Sequence, residues 1–209
     1  LRPYLMHIAI AGNIGVGKTT LARKLAEHYQ GEVLYESVQD NPYLKDFYED
    51  MDRWAFHLQI YFLNSRYQQG QYAQNQSQTI IQDRSIYEDA HIFAKTLYED
   101  GHLCQRDYQN YLNIFHSLCR SLEAPDLLVY LRADLPKLKK HIQLRGRSYE
   151  QDIPDEYLIK LNNQYEKWIN EYEVGPLLIL DVNDKDFLYQ TQDWKELITT
   201  LDPYLSVRL

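Results

Sequence analysis

Residues 8–29 read IAIAGNIGVGKTTLARKLAEHY: an apolar run, a glycine-rich turn, then apolar residues at helical spacing. That order is a strand, a tight loop and an amphipathic helix. Inside it, GNIGVGKT matches G-x-x-x-x-G-K-[ST] through Gly12, Gly17, Lys18 and Thr19. Glycines let the backbone curl so that successive N–H groups point inward, and the following helix adds its positive N-terminal end. The Lys18 ammonium can reach β and γ phosphates, and the Thr19 hydroxyl can bind Mg²⁺. A chance match in a chain this long is on the order of one per cent at average composition. Gly12, Asn13, Gly15, Val16, Gly17, Lys18, Thr19 and Thr20 are therefore expected to cradle the phosphates of ATP or GTP.

Further strand-like runs recur at 32–36, 79–83, 126–133 and 176–182. They are short, apolar and rich in branched residues, as buried parallel strands tend to be. Helical patterns fill 18–29, 53–73, 86–99, 105–123, 135–145 and 155–173. Such alternation predicts an α/β fold with a five-stranded parallel sheet flanked by helices. No internal repeat or Pro/Gly/Ser-rich linker divides the chain, so residues 1–209 are read as one domain.

The bulk properties narrow the partners. The formal net charge is −8 over 209 residues, which disfavours a nucleic-acid polyanion. The two cysteines, Cys104 and Cys119, suggest neither a disulfide framework nor a metal knuckle, and are expected to be reduced core thiols. No apolar run approaches 18 residues, so a soluble cytoplasmic protein with no membrane partner is expected. The chain starts Leu1-Arg2-Pro3, which leads to the expectation that upstream residues, a tag or a domain, have been removed. Many of the 19 tyrosines, such as Tyr61 and Tyr67 or Tyr108 and Tyr111, have spacings that suit half-buried helix faces.

Three further segments bear on chemistry. Glu36 ends the second strand-like run, where a carboxylate faces the ligand crevice and can accept a proton from an attacking hydroxyl; the bland reading is a surface or capping glutamate. Asp83 ends the third run, placed to hold Mg²⁺ directly or through water. Arg84 follows it, and the bland reading is a plain salt bridge. Arg145 and Arg147 flank Gly146, suiting a short lid that neutralises charge on a transferring phosphoryl group and excludes water; the bland reading is a solvated basic helix end. A guanine-specifying N-K-x-D is missing, because NDKD at 183–186 has the wrong order. The length suits a small-acceptor kinase.

At this point the chain resembles the deoxynucleoside kinases, the group of deoxycytidine, deoxyguanosine and deoxyadenosine kinases, and within it the bacterial deoxyadenosine/deoxyguanosine enzymes. The likeness rests on GNIGVGKTT, YESVQDNPYL, RWAFHLQIYFLNSR, DRSIYEDAHIFA, LRGRSYEQDIPDEYL and LDVNDKDF, in that order, over about residues 6–200. The resemblance implies a P-loop kinase fold and Mg²⁺- and ATP-dependent phosphorylation of the 5′-hydroxyl of a deoxynucleoside. It makes Glu36 the base, Arg84 the arginine beside the hydroxyl and phosphates, and Asp83, with Thr19, part of the magnesium network. Tyr48 and Glu150 match the residues that hold the 3′-hydroxyl, Gln59 the base-binding glutamine and Phe93 the stacking ring. Arg145 and Arg147 match lid arginines, and Phe187 is similar to residues flanking adenine. Arg66 and Asp89 match a pair found in members that take deoxycytidine and purine deoxynucleosides. Such a charged, hydrogen-bonding pair strongly rejects bases that leave it unpaired. Deoxyadenosine is expected first, then deoxyguanosine, with deoxycytidine as a further candidate. The family usually forms homodimers, for which helices 86–99 and 155–173 are candidates unless they pack inward. His141 stands where many relatives carry a lid arginine, and Leu58 where some carry an aromatic ring. The rival expectations are a nucleoside monophosphate kinase and a non-catalytic ATP-binding sensor.

Overall fold

The computed structural model describes residues 6–206 except Ser37, Gln39, Asp40, Ser148, Tyr149 and Leu188, with nothing stated for the side chains of Leu205 and Ser206. Five parallel strands form one sheet in the order β2-β3-β1-β4-β5. They are β1 (His7–Gly12), β2 (Glu32–Leu34), β3 (Ile80–Asp83), β4 (Leu127–Arg132) and β5 (Leu177–Asp181). The expected five-stranded sheet is present, and β2 is shorter than its apolar run suggested.

Strand β1 shows why the sheet has helices on both faces. Its alternating residues are all fully buried, but they differ in size: Ile8 and Ile10 join one core cluster, Ala9 and Ala11 another. The isoleucine side packs under α1 (Lys18–Tyr29) through Leu21 and Leu25, and under α9 (Thr191–Ser206) through Leu197 and Leu201. The alanine side leaves room for Ile92, Leu161 and Tyr165 to come close to the sheet. Period-2 alternation thus assigns each face its own layer.

The remaining helices are α2 (Leu44–Glu49), α3 (Met51–Ala73), α4 (Ile86–Glu88), α5 (Lys95–Glu99), α6 (Gln105–Cys119), α7 (Leu135–Arg145) and α8 (Asp155–Asn170). Between α4 and α5 the chain continues as a π-helical stretch, Asp89–Ala94. A π segment inside a helix often marks a functional site, and here it carries Asp89 and Phe93. Helices α2 and α9 were not anticipated. The first is too short for a 3.6-residue period to register. The second carries Trp194, Leu197, Ile198 and Leu201 at i, i+3, i+4 and i+7, a helical signal legible in the sequence.

Helix α8 packs on the π-helical stretch and buries Leu161, Tyr165 and Ile169 inward. The cysteines correct an expectation: Cys104 is exposed at the N-cap of α6 and Cys119 only half-buried, both free. A helix cap lies where the chain turns at the surface, so Cys104 has no core to enter. Among the described residues, no helix is long and apolar enough to cross a membrane.

Candidate active site

All the strands run the same way, so their carboxyl ends share one edge, and the crevice there is where open α/β sheets bind ligands. A cavity of about 540 Å³ opens at this edge. Lys18, Thr19, Glu36, Tyr48, Gln59, Asp83, Arg84, Asp89, Phe93, Arg145, Arg147 and Glu150 all line it, although they come from across the chain.

The phosphate loop forms one end. Gly12, Gly15 and Gly17 have φ of 144°, 81° and 106°, in the range that favours glycine. A Cβ at Gly15 would lie 2.7 Å from the Leu138 carbonyl oxygen, so the loop needs glycine there for space as well as conformation. Lys18 Nζ donates to the Asn13 carbonyl at 2.9 Å. Burial depresses its pKa to about 8, with Arg84 acting the same way and Asp83, Glu36 and Glu88 opposing.

Two loop residues anchor the loop through their side chains. The Asn13 side chain donates to the Leu158 carbonyl at 2.8 Å and to Asn162 Oδ1 at 2.7 Å, so it ties the loop to α8. The Val16 side chain is buried in the α1 core. Each anchors the loop, and neither side chain offers itself to a phosphate. Thr20 is half-buried in the first turn of α1. His141 is likewise not a lid cation: its Nδ1 donates to the Gly15 carbonyl at 2.7 Å, and burial lowers its pKa below the usual 6.5. It braces the loop as a neutral ring.

Thr19 Oγ1 donates to Asp83 Oδ2 at 2.5 Å, and Asp83 Oδ1 is buried with no hydrogen-bond partner among the described residues. A hydroxyl beside an unsatisfied carboxylate oxygen is a hard-oxygen donor set that suits Mg²⁺, which takes one or two protein ligands together with phosphates and water. Among the described residues, no cluster of three His, Cys, Asp or Glu offers another metal site.

Glu36 lies two residues beyond β2. Arg84 Nε meets its Oε1 at 3.0 Å, and Arg66 Nη2 donates to the same oxygen at 3.1 Å. Burial alone would raise the Glu36 pKa, but Arg84, Arg66, Lys18 and Arg147 together overcome it and hold the group down at about 2. It is a carboxylate at neutral pH. Its side chain keeps 26% of its surface exposed, so an acceptor hydroxyl can reach it. Arg84 has a φ of 75°, a left-handed conformation that non-glycine residues hold only under constraint. Its guanidinium lies 4.5 Å from the Phe93 ring centroid, so one face of that ring is occupied.

At the far end, Gln59 Oε1 and Asp89 Oδ2 are buried without hydrogen-bond partners among the described residues. Burial raises Asp89 to about 7, with Arg66 and Arg84 opposing the rise and Glu36 and Glu88 adding to it. The expected Arg66–Asp89 hydrogen-bonding pair is looser than anticipated. Arg66 is 1% exposed, stands behind the cavity wall, and spends its amino groups on Glu36 and Gln69. Leu58 does line the cavity, so an aliphatic side chain stands at that position of a wall otherwise rich in aromatic rings. Glu150 accepts from Arg145 and, at 3.1 Å, from Arg147. The two basic groups and the carboxylate expected at the 3′-hydroxyl thus form one cluster. Phe187 stands apart: it packs beside the α1–sheet core, with its carbonyl accepting from Lys24, and does not line the cavity.

Sequence reasoning missed Glu88, which is 0% exposed under the loop. The Ser85-x-x-Glu88 capping pattern could have found it. It also missed Tyr157 and Ile14 on the cavity wall, for which apolar or aromatic identity alone is no signal.

Residues 8–206 match the deoxynucleoside kinase family. The chain is 39% identical to the deoxyadenosine/deoxycytidine kinase of Bacillus subtilis over 87% of its length and 84% of that protein. It is 45% identical to the deoxyadenosine kinase of Dictyostelium discoideum over 79% of its length and 67% of that protein. The solved structure of deoxyadenosine kinase from M. mycoides with bound dATP superimposes with a TM-score of 0.82 at 32% identity, covering 94% of this chain and 99% of that one.

Proposed function

The chain belongs to the deoxynucleoside kinase family, and from that premise we propose that it transfers the γ-phosphoryl group of ATP to the 5′-hydroxyl of a purine deoxynucleoside, deoxyadenosine first and deoxyguanosine second. The observation that carries the reading is one cavity with a phosphate loop at one end, unsatisfied base-edge acceptors at the other, and the Glu36 carboxylate between. The named relatives support the choice of deoxyadenosine.

Glu36 orients the 5′-hydroxyl and accepts its proton. A carboxylate held near pKa 2 is a weak base, but phosphoryl transfer asks mainly for positioning and charge stabilisation. A triphosphate beside Lys18 and Arg84 brings negative charge that competes for the cations now lowering Glu36, which makes the carboxylate more basic when both substrates are in place. Lys18, Arg84, Arg145 and Arg147 stabilise the charge spreading over the transferring group. Thr19 and Asp83 would hold Mg²⁺, which neutralises charge on the β and γ oxygens when bound. Tyr48 and Glu150 hold the sugar, and Gln59, Asp89 and Phe93 the base.

Transfer from Mg-ATP to each of the four common deoxynucleosides, with the monophosphates as control acceptors, tests the reading. Deoxyadenosine leading with thymidine inert supports it. Reaction with monophosphates alone would move the protein to the nucleoside monophosphate kinases, and ATP binding with no transfer to a sensor role. We further infer a homodimer in the cytoplasm, on family resemblance; a single sedimenting species of monomer mass at micromolar concentration removes the dimer.

A further inference from the structure

Beneath the cavity lies a buried acid that the reaction as derived does not use. Glu88 Oε1 accepts the Tyr165 hydroxyl at 2.7 Å and the Gly12 N–H at 3.3 Å, while Oε2 accepts the Ser85 N–H at 2.9 Å. The Tyr165 hydroxyl in turn accepts from Arg84 Nη1 at 2.7 Å. Glu88 and Tyr165 are both 0% exposed, and neither lines the cavity. Burying an ionisable group is costly unless its hydrogen bonds are satisfied; here the Ser85 bond caps the start of α4, while the others, with a direct contact from Arg84 Nη1 to Oε1 at 3.5 Å, lead to working parts of the site. Gly12 opens the loop that takes the phosphates. Arg84 touches Glu36.

We propose that Tyr165 and Glu88 are positioning residues for phosphoryl transfer. They form a relay from the Gly12 amide through the Glu88 carboxylate and the Tyr165 hydroxyl to the Arg84 guanidinium, and it keeps Arg84 in register with the phosphate loop. The proposal rests on the kinase reading above. Its physical basis is the freedom of an arginine side chain: a long chain carries much rotamer entropy, and a transition-state cation is effective only if its position is set before the reaction. Phe93 covers the Arg84 guanidinium on one face, and Glu36 forms an ion pair beside its Nε at 3.0 Å. Tyr165 takes Nη1 from behind, on a helix that also receives the Asn13 tether. One helix, α8, therefore holds both the donor loop and the acceptor-side arginine.

Tyr165→Phe removes a single hydroxyl from a ring that keeps its packing. The expected result is a fall of about tenfold or more in kcat, the loss of one well-placed hydrogen bond, with KM for ATP and deoxyadenosine little changed. Arg84→Lys combined with Tyr165→Phe should cost no more than Arg84→Lys alone, because the relay acts only through Arg84. A second readout needs no turnover: the ¹⁵N side-chain signals of Arg84, identified by their loss in Arg84→Lys, should show slow guanidinium rotation in the wild type and fast averaging in Tyr165→Phe. The proposal is overturned if kcat stays within twofold of wild type, if the two losses multiply, or if the guanidinium signals do not change. Wild-type turnover in the same assay keeps the questions apart: a wild type inert towards every deoxynucleoside defeats the kinase reading and the relay's catalytic role with it, whereas an active wild type and an equally active Tyr165→Phe defeat the relay alone.

Discussion

Arg66 Nε lies 3.7 Å from Asp89 Oδ2, and neither atom makes a hydrogen bond among the described residues. The arginine spends its two amino groups on Gln69 and Glu36, so the Asp89 carboxyl in the base pocket is only loosely countered.

That arrangement predicts a pH effect on stability. Burial raises Asp89 from 3.8 to about 7 in the folded protein. Between those values the unfolded chain has lost the proton and the folded chain keeps it, so the stability it contributes is present below pH 4 and is lost as pH rises towards 7. Melting temperatures of wild type and Asp89→Asn, measured from pH 4 to 8, should diverge in favour of the variant up to about pH 7 and then run parallel. Curves that stay parallel throughout would show that Asp89 ionises normally.

The same titration bears on substrate choice. An ionised Asp89 accepts from an exocyclic amino group, as on adenine, and repels the carbonyl oxygen that guanine carries there. A protonated one can donate. The ratio of kcat/KM for deoxyadenosine over deoxyguanosine should therefore rise from pH 6 to pH 8 and lose that dependence in Asp89→Asn.

Glu36→Gln keeps the size of the side chain and removes its charge. Turnover should drop by about 10²- to 10⁴-fold, the usual range for a general base, with ATP binding retained in an equilibrium titration. Near-normal turnover would remove Glu36 as the base.

Asp83 Oδ1 has no hydrogen-bond partner among the described residues. Chelating Mg²⁺ should stop transfer, and Asp83→Asn should raise the Mg²⁺ concentration for half-maximal rate by at least about tenfold. An unchanged magnesium requirement would assign Asp83 to packing alone.

Gly15→Ala meets two obstacles: a φ of 81° and a Cβ position 2.8 Å from Ile142 Cγ1 as well as 2.7 Å from the Leu138 carbonyl. The conformation alone costs about 1–3 kcal/mol, or several degrees of melting temperature for a chain this size. ATP affinity should fall with it, because the loop must move away from α7. A variant as stable as wild type would mean the loop has another way to fold.

Much of this molecule could be read from linear order. The strand–loop–helix at residues 8–29 needed only local spacing, because glycine, lysine and threonine act on a phosphate through the backbone turn they themselves make. Glu36, Asp83 and Arg84 were legible for a related reason: in a parallel sheet every strand ends at the same edge, so a charged residue closing an apolar run is delivered to the crevice whichever strand carries it. What could not be read is who partners whom. Nothing local says that Arg66, thirty residues beyond Glu36, takes its carboxylate instead of that of Asp89. Nor does local order say that Asn13 reaches 145 residues along the chain to α8, or that Glu88 and Tyr165 meet 77 residues apart. Those pairings arise when the alanine face of β1 lets α8 approach the sheet. Hydrogen bonding and pKa depend on distances of a few ångströms in a low dielectric, which packing sets and sequence spacing does not.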